Sequence, residues 1–273
     1  MPRIRQTTIE LSEEVPRLEV LPQPVVAFGR DLARGESLPL HHHRRAQLVY
    51  ASAGVMTVST ELAAYVVPPQ RAVWMPGGVD HRIDARSDVA MRTLYFDPDL
   101  DTELPQRLPR DVCVLRVSPL LRELILAAVA QGPHCLPGSP QARLMSVIVD
   151  QLDAPSVAAF ALPMPTEPRL LRLTQMLIAN PGDSRSLDEW AREVGTSKRT
   201  LGRLFSEQTG MSFRAWRQQR RLLRALELLA TGESVTSVAL ELGYENVSAF
   251  IAMFRRNFGT TPRQYLKEEP VTG

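Results

Sequence analysis

Glu193-Val194-Gly195-Thr196-Ser197-Lys198-Arg199-Thr200-Leu201-Gly202-Arg203-Leu204-Phe205 returns further along the chain as Glu241-Leu242-Gly243-Tyr244-Glu245-Asn246-Val247-Ser248-Ala249-Phe250-Ile251-Ala252-Met253-Phe254. In both copies the second large apolar residue (Phe205, Phe254) follows the first (Leu201, Phe250) by four, the spacing of one helix face. Gly210 and Gly259 come five residues later, followed by Ser212-x-Arg214-x-Trp216 and Thr261-x-Arg263-x-Tyr265. One extra residue distinguishes the copies, between the first glycine and the first apolar position. A repeat of this kind reports a duplicated structural unit.

Each copy has the grammar of helix–turn–helix. Ser186-Leu187-Asp188-Glu189 is a capping box, in which the serine oxygen takes an orphan amide and the glutamate reaches back. Leu187, Trp190, Ala191 and Val194 then share a face, and Gly195 supplies the positive φ that ends the helix. Ser197 caps the next helix, whose inward stripe is Leu201, Leu204 and Phe205. Lys198, Arg199, Thr200, Gly202 and Arg203 remain outward: a short, donor-rich N-terminal face of the sort that meets base edges in a major groove. In the second copy Val235, Val238, Ala239 and Leu242 form the supporting helix, and Asn246 caps a helix exposing Val247, Ser248, Ala249 and Ala252. The first copy can donate to guanine through Arg199 or Arg203, while the second offers small groups suited to thymine methyls and shape. Arg255, Arg256, Arg214, Arg217, Arg220, Arg221 and Arg224 suit phosphates or, by preference, a solvated face. A continuous helix from Phe213 to Ala230 would hold the copies about one DNA turn apart, roughly 34 Å. The bland alternative is a plain helical bundle with a charged, solvated face.

Working upstream, Ala161-Leu162-Pro163-Met164-Pro165-Thr166-Glu167-Pro168 reads as a stiff linker. Before it, Leu120 to Ala130 and Gln141 to Leu152 have helical period, separated by Gly132-Pro133 and Pro137-Gly138-Ser139-Pro140. Residues 20–96 read as β-structure, with short β-branched and aromatic runs broken by Gly54, Pro68-Pro69 and Pro76-Gly77-Gly78. Leu120, Leu121, Leu124, Ile125 and Ala128 make an apolar stripe that either packs on the chain's own barrel or forms a homodimer contact.

The net charge of +2 conceals a split. Residues 164–273 hold 16 Lys and Arg against 12 Asp and Glu, so the basic excess lies with the repeat, where an anionic partner is to be sought. No run reaches the eighteen or so apolar residues of a membrane span. Met1 to Gln6 has no apolar core after its basic residues and does not read as a signal peptide. Cys113 and Cys135 give no disulfide framework and are expected as buried thiols, so the expected compartment is the cytoplasm.

Four of the five histidines lie in His41-His42-His43 and at His81. Alternation along a strand points His41 and His43 the same way, and His81 can meet them from a neighbouring strand.

Residues 168–266 resemble the DNA-binding domain of the AraC/XylS family. The likeness is carried by Ser197-x-Arg199-x-Leu201-x-Arg203-x-Phe205, the helix bearing Trp216, and Gly243-Tyr244, Ser248-Ala249-Phe250, Phe254-Arg255, Pro262 and Tyr265. By position, the family's base-reading sites fall on Arg199, Gly202 and Arg203 and on Ser248, Ala249 and Ala252. Gly202 and Ala252 depart from the longer polar residues of some members. His41-x-His43-x3-Gln47 with Pro76-x-Gly78-x2-His81 is similar to the two cupin motifs, which place three histidines and a carboxylate around a metal. Gln47 stands where the glutamate would be, a weaker, uncharged ligand. Two readings stay open for His41, His43, Gln47 and His81: a divalent metal site, or a structural or effector-contacting role with no cofactor required. Ala46 to Val55 and Pro68 to Pro76 resemble the cupin-type sensor domains of an AraC subgroup that includes regulators tied to nitroimidazole resistance. That likeness implies a small-molecule pocket in the barrel mouth, lined by Tyr50 and Trp74 unless these are core.

The expected architecture is therefore a two-domain α and β protein. A cupin-like β-barrel (double-stranded β-helix) spans residues 1–110, a helical linker 111–163, and an all-α domain with two helix-turn-helix units 164–273. The expected function is regulation of transcription by sequence-specific DNA binding under a small-molecule effector, not an enzyme activity, with activation through RNA polymerase as the family implies. The alternatives are a metal-dependent cupin enzyme fused to a helical domain, and a helical module that binds protein instead of DNA.

Overall fold

The computed structural model describes residues 18–97, 99–100, 108–152 and 160–267. Met1 to Gln6 lies outside them. The chain divides into two compact units, one formed by Met1–Val58 with Val67–Ala158 and the other by Ser59–Val66 with Ala159–Gly273. Among the described residues no helix is long and apolar enough to cross a membrane.

The first unit is sheet-rich. Its strands are β1 (Val25–Leu32), β2 (Ser37–His41), β3 (Ala46–Ala53), β4 (Met56–Ser59), β6 (Arg71–Met75), β7 (His81–Ala85), β8 (Val89–Phe96) and β9 (Cys113–Arg116); β5 (Ala63–Val67), next after β4 in the chain, belongs to the second unit but for its last residue. One antiparallel sheet runs in the order β1, β8, β3, β6, β9, and in the second sheet β4, β7 and β2 lie side by side. Two helices follow: α1 (Pro119–Gln131) and α2 (Pro140–Asp150). Both start the same way, with proline at the first helical position and a serine (Ser118, Ser139) whose hydroxyl accepts an amide of the first turn.

Strand alternation decides what faces what. Leu48, Tyr50, Ala72, Trp74, Leu94 and Phe96 lie on one face of the first sheet, in a single cluster with Leu121, Ile125 and Ala128 of α1 and Met145, Ile148 and Val149 of α2. The apolar stripe of α1 thus packs on its own barrel, while Leu120 stays 55% exposed. Trp74 meets Phe96 edge-on at 5.1 Å and donates its indole N–H to the Pro109 carbonyl at 2.8 Å. Gln47 points to the opposite face. Of the two readings left open for Tyr50 and Trp74, the structure gives core beneath α1 and α2, so their assignment as lining of an effector pocket is corrected. Burial pushes the Tyr50 phenol up to about 12. Cys113 and Cys135 are half-buried, not buried as expected.

The loop Pro76-Gly77-Gly78 sets the histidine loop. A Cβ on Gly77 would lie 2.0 Å from the Arg44 carbonyl oxygen, so only glycine fits, and the Gly78 N–H donates to the His43 carbonyl at 2.8 Å.

The second unit carries the helices: α3 (Pro168–Ala179), α4 (Leu187–Glu193), α5 (Lys198–Thr209), α6 (Phe213–Ala230), α7 (Val235–Glu241), α8 (Val247–Phe258) and α9 (Pro262–Lys267). It also holds a strand that the proline-rich run hid. Residues 161–163 were expected within a stiff linker, but β10 (Ala161–Pro163) pairs antiparallel with β5. Pro163 lacks an N–H yet keeps its carbonyl, which accepts the Trp216 indole N–H at 2.7 Å.

The repeat recurs in the hydrogen bonds. Gly195 (φ +71) and Gly243 (φ +72) end α4 and α7 in left-handed conformation. The Gly195 N–H reaches Arg192 and the Thr196 N–H reaches Ala191; the Gly243 N–H reaches Leu240 and the Tyr244 N–H reaches Ala239. These are two copies of one Schellman turn. The extra residue of the second copy is Glu245, inserted between that turn and the next cap. The Ser186–Glu189 capping box forms as expected. Helix α6 is central, with Phe213, Trp216, Leu222, Leu223, Leu226 and Leu229 buried. Three of its arginines do not form a solvated face. Arg220 is 8% exposed and pairs with Glu227, while Arg217 and Arg221 donate to the carbonyls of Pro181, Asp183 and Arg185. The loop between α3 and α4 presents carbonyls to α6, and guanidinium groups satisfy them.

Candidate DNA interface and effector site

Helix α5 opens at Ser197, whose hydroxyl accepts the Thr200 amide at 3.2 Å. It buries Leu201, Phe205 and Thr209. That rotation leaves Lys198, Arg199 and Arg203 exposed, with Thr200 and Gly202 half-buried. Lys198 pairs with Asp188 at 2.7 Å, and Arg203 reaches both Glu207 oxygens at 2.7 Å. Arg199 makes no hydrogen bond or ion pair among the described residues. Its guanidinium is the donor most ready for an outside acceptor.

Helix α8 buries Phe250, Met253 and Phe254 and exposes Ser248, Ala249, Ala252 and Arg255. The Asn246 oxygen accepts the Ala249 amide at 2.8 Å, so this residue first serves as the cap. A groove of about 740 Å³ brings Gly202 and Ser206 of the first copy beside Gly243 and Tyr244 of the second, with Arg214, Arg217 and Arg221 along α6. A second hollow is lined by Ser248, Ala252, Arg255 and Arg256. Sequence reasoning did not anticipate that Arg217 and Arg221 would line this groove while spending donors on protein carbonyls.

The histidines converge in the first unit. His41 and His81 are directly paired across β2 and β7, with ring centroids 4.4 Å apart, and the His43 ring lies 5.1 Å from that of His81. One ring nitrogen from each of His41, His43 and His81 falls within 4.8 Å of the others. His43, His81 and Gln47 are buried and His41 is half-buried.

The tautomers follow from the acceptors. Nδ1 of His41, His43 and His81 lies 2.7, 2.5 and 2.8 Å from the carbonyl oxygens of Pro39, Arg45 and Val79. A carbonyl only accepts, so each Nδ1 carries the proton and each Nε2 is left with a lone pair. The Nε2 of His81 is buried without a partner. Burial pushes His81 down to about 4 and lowers His41 as well, which keeps these rings neutral at neutral pH. Imidazoles with Nδ1–H on a backbone carbonyl and Nε2 pointing at a common centre are oriented as metal ligands are. The donor set therefore fits a divalent cation, with Gln47 Oε1 2.9 Å from His43 Nε2.

Two members of this site were not found in the sequence. Thr93 and Tyr95, on the β8 face that meets Gln47, accept from the Gln47 amide nitrogen at 2.8 and 3.1 Å. Their signal was polar alternation within an otherwise apolar strand. Beneath the site, buried Arg45 pairs with buried Asp97 and donates to the Gln23 carbonyl at 2.8 Å, fixing the loop that carries His43.

Comparison with known proteins places both halves. An AraC-like ligand binding domain matches residues 24–146, and a helix-turn-helix domain matches residues 190–268. The HTH-type transcriptional regulator NimR of Escherichia coli K12 is 37% identical over 228 residues, covering 84% of this chain and 82% of NimR. RipA of Corynebacterium glutamicum is 39% identical over 103 residues, 38% of this chain and 31% of RipA. The crystal structure of an AraC-type regulator from Chromobacterium violaceum matches 40% of this chain and 97% of its own at 30% identity, with a TM-score of 0.36. With a relative 37% identical across most of both chains, and a ligand-binding domain followed by a helix-turn-helix domain, the chain belongs to the AraC family of transcriptional regulators, which bind promoter DNA under the control of small-molecule effectors.

Proposed function

We propose that α5 and α8 enter consecutive major grooves of one duplex and that the site at His41, His43, Gln47 and His81 receives the effector. The observation that carries the DNA reading is the duplicated Schellman turn, which launches two equivalent helices, both with exposed early positions, on a unit whose groove touches both copies. Arg199 and Arg203 donate to base edges, Thr200 and Lys198 support them, Ser248, Ala249 and Ala252 read by shape and methyl contact, and Asn246 and Arg255 hold the backbone. The effector acts by binding one arrangement of the protein better than another. His41, His43, His81 and Gln47 would hold a divalent cation, which supplies a Lewis-acid anchor for the effector. With four uncharged donors the site retains the cation's full charge and favours an anionic group on that effector. We read this as a sensing site, in a protein that acts on chromosomal DNA in the cytoplasm and activates through RNA polymerase.

Gly202 supplies the first test. A glycine inside a helix costs about 1 kcal/mol relative to alanine. The protein does not need it, since a Cβ there would meet only Leu187 Cδ2, at 3.7 Å. Gly202→Ala is therefore expected to raise the stability of the second unit by about 1 kcal/mol while weakening or re-ranking DNA sequences selected by the unaltered protein. A variant that is stabilised and binds every sequence as before would remove position 202 from the interface.

We also propose a homodimer through α1 and α2, supported by the exposed Leu120 and Val147 at 55% and 41%. Sedimentation equilibrium at micromolar concentration should give twice the chain mass, and a Leu120→Glu variant should give the chain mass. A monomer throughout would end that proposal.

A further inference from the structure

We infer that Thr93, assisted by Tyr95, is a positioning residue that turns the Gln47 amide so that its oxygen faces the histidines, making Gln47 the fourth donor of a divalent-cation site. The inference rests on the cation reading of that cluster and adds the device that makes a neutral amide usable there.

A glutamine amide has two ends of similar shape and opposite polarity, and only the oxygen can ligate a metal. Something must choose which end faces the ring nitrogens. The Thr93 hydroxyl donates to the Leu48 carbonyl at 2.9 Å, so its one proton is spent. Towards Gln47 it can only accept, at 2.8 Å, and it therefore calls for the NH₂ end. The Tyr95 oxygen lies 3.1 Å from the same nitrogen. With both amide protons engaged, Oε1 is left facing His43 Nε2 at 2.9 Å. That nitrogen also carries a lone pair, because the His43 Nδ1–H is committed to the Arg45 carbonyl at 2.5 Å. Two lone pairs at this separation repel unless a positive centre lies against both. The unpartnered Nε2 of buried His81 points to the same need. In a carboxylate either oxygen would serve. With an amide, orientation has to be imposed, and the strand opposite imposes it through the register that places Tyr95 across from Gln47.

The test is a Co²⁺ titration of chelator-stripped full-length protein, followed by visible absorption, with apo thermal melts as the control for folding. Unaltered protein should bind one Co²⁺. Thr93→Val keeps the shape but cannot accept, so it should weaken binding 10- to 100-fold, roughly the effect of losing an outer-shell partner, and alter the cobalt spectrum. Thr93→Ser should restore both. Gln47→Glu should tighten binding, and in that background Thr93→Val should have almost no effect, because a carboxylate has no nitrogen end to orient. If Thr93→Val does not fold, Tyr95→Phe takes its place in the same comparison. Equal losses in the Gln and Glu backgrounds, or unchanged binding in Thr93→Val, would overturn the positioning role while leaving the cation site standing. Failure of the unaltered protein to bind Co²⁺ would overturn both.

Discussion

Replacing Arg199 and Arg203 together with alanine is expected to weaken binding to a duplex selected by the unaltered protein by roughly 2–6 kcal/mol, taking about 1–3 kcal/mol for each bidentate contact to a base. The two side chains start from different states. Arg199 is exposed and without a protein partner among the described residues, so its donors reach a base at little cost. Arg203 must leave Glu207, but that pair is 60% and 52% exposed, and exposed pairs on a helix are worth only a few tenths of a kcal/mol. Glu207→Gln should accordingly strengthen binding slightly. Affinities measured at one salt concentration on selected and random duplex separate the roles. Loss on selected DNA alone, with base preference relaxed at one or two positions, is expected. Equal loss on both would make these arginines phosphate contacts.

The second large effect concerns what ties the first copy to α6 and β10. Trp216 is fully buried on α6, meets Phe205 of the first copy edge-on at 5.7 Å, and donates its indole N–H to Pro163 of β10 at 2.7 Å. Trp216→Ala removes a large buried ring and leaves that carbonyl without its indole donor, so the second unit should lose about 3–5 kcal/mol. Trp216→Phe keeps most of the ring and should lose only the smaller part due to the hydrogen bond. Urea unfolding followed by circular dichroism of the helices measures both. A loss below about 1 kcal/mol for the alanine variant would mean that the site collapses around the gap and that β10 is not anchored by this residue.

Much of the second unit was legible because its signals are local. Gly195 and Gly243 mark Schellman turns, Ser186, Ser197 and Asn246 are caps, and the four-residue spacing of Leu201 and Phe205 fixes which face is inward. Placement of Arg217, Arg220 and Arg221 was not legible. A basic, polar stretch looks solvated, and only the tertiary structure shows loop carbonyls that need donors and a glutamate, Glu227, to balance a buried guanidinium. In the first unit the meeting of His41, His43 and His81 was expected, but not its means: His43 lies in the loop after β2, not on a strand shared with His41, and reaches the cluster from there. That the sequence left Tyr50 and Trp74 between pocket and core has a simple origin. Six consecutive residues of β3 are buried, so period two says that Gln47 and Tyr50 face opposite ways but not which face is the barrel interior. The covering of one face by α1 and α2 decides that. Thr93 and Tyr95 escaped notice because their role depends on register with Gln47 across the sheet, which a single strand does not encode.

The most direct test of the whole account is methylation and hydroxyl-radical footprinting of the full chain on a duplex it has selected. The account predicts two protected major-groove segments on the same face of the helix, centred about 10 base pairs apart, with the guanine contacts confined to the segment lost in the Arg199→Ala/Arg203→Ala variant. One segment only from a single chain, or two on opposite faces, would contradict it.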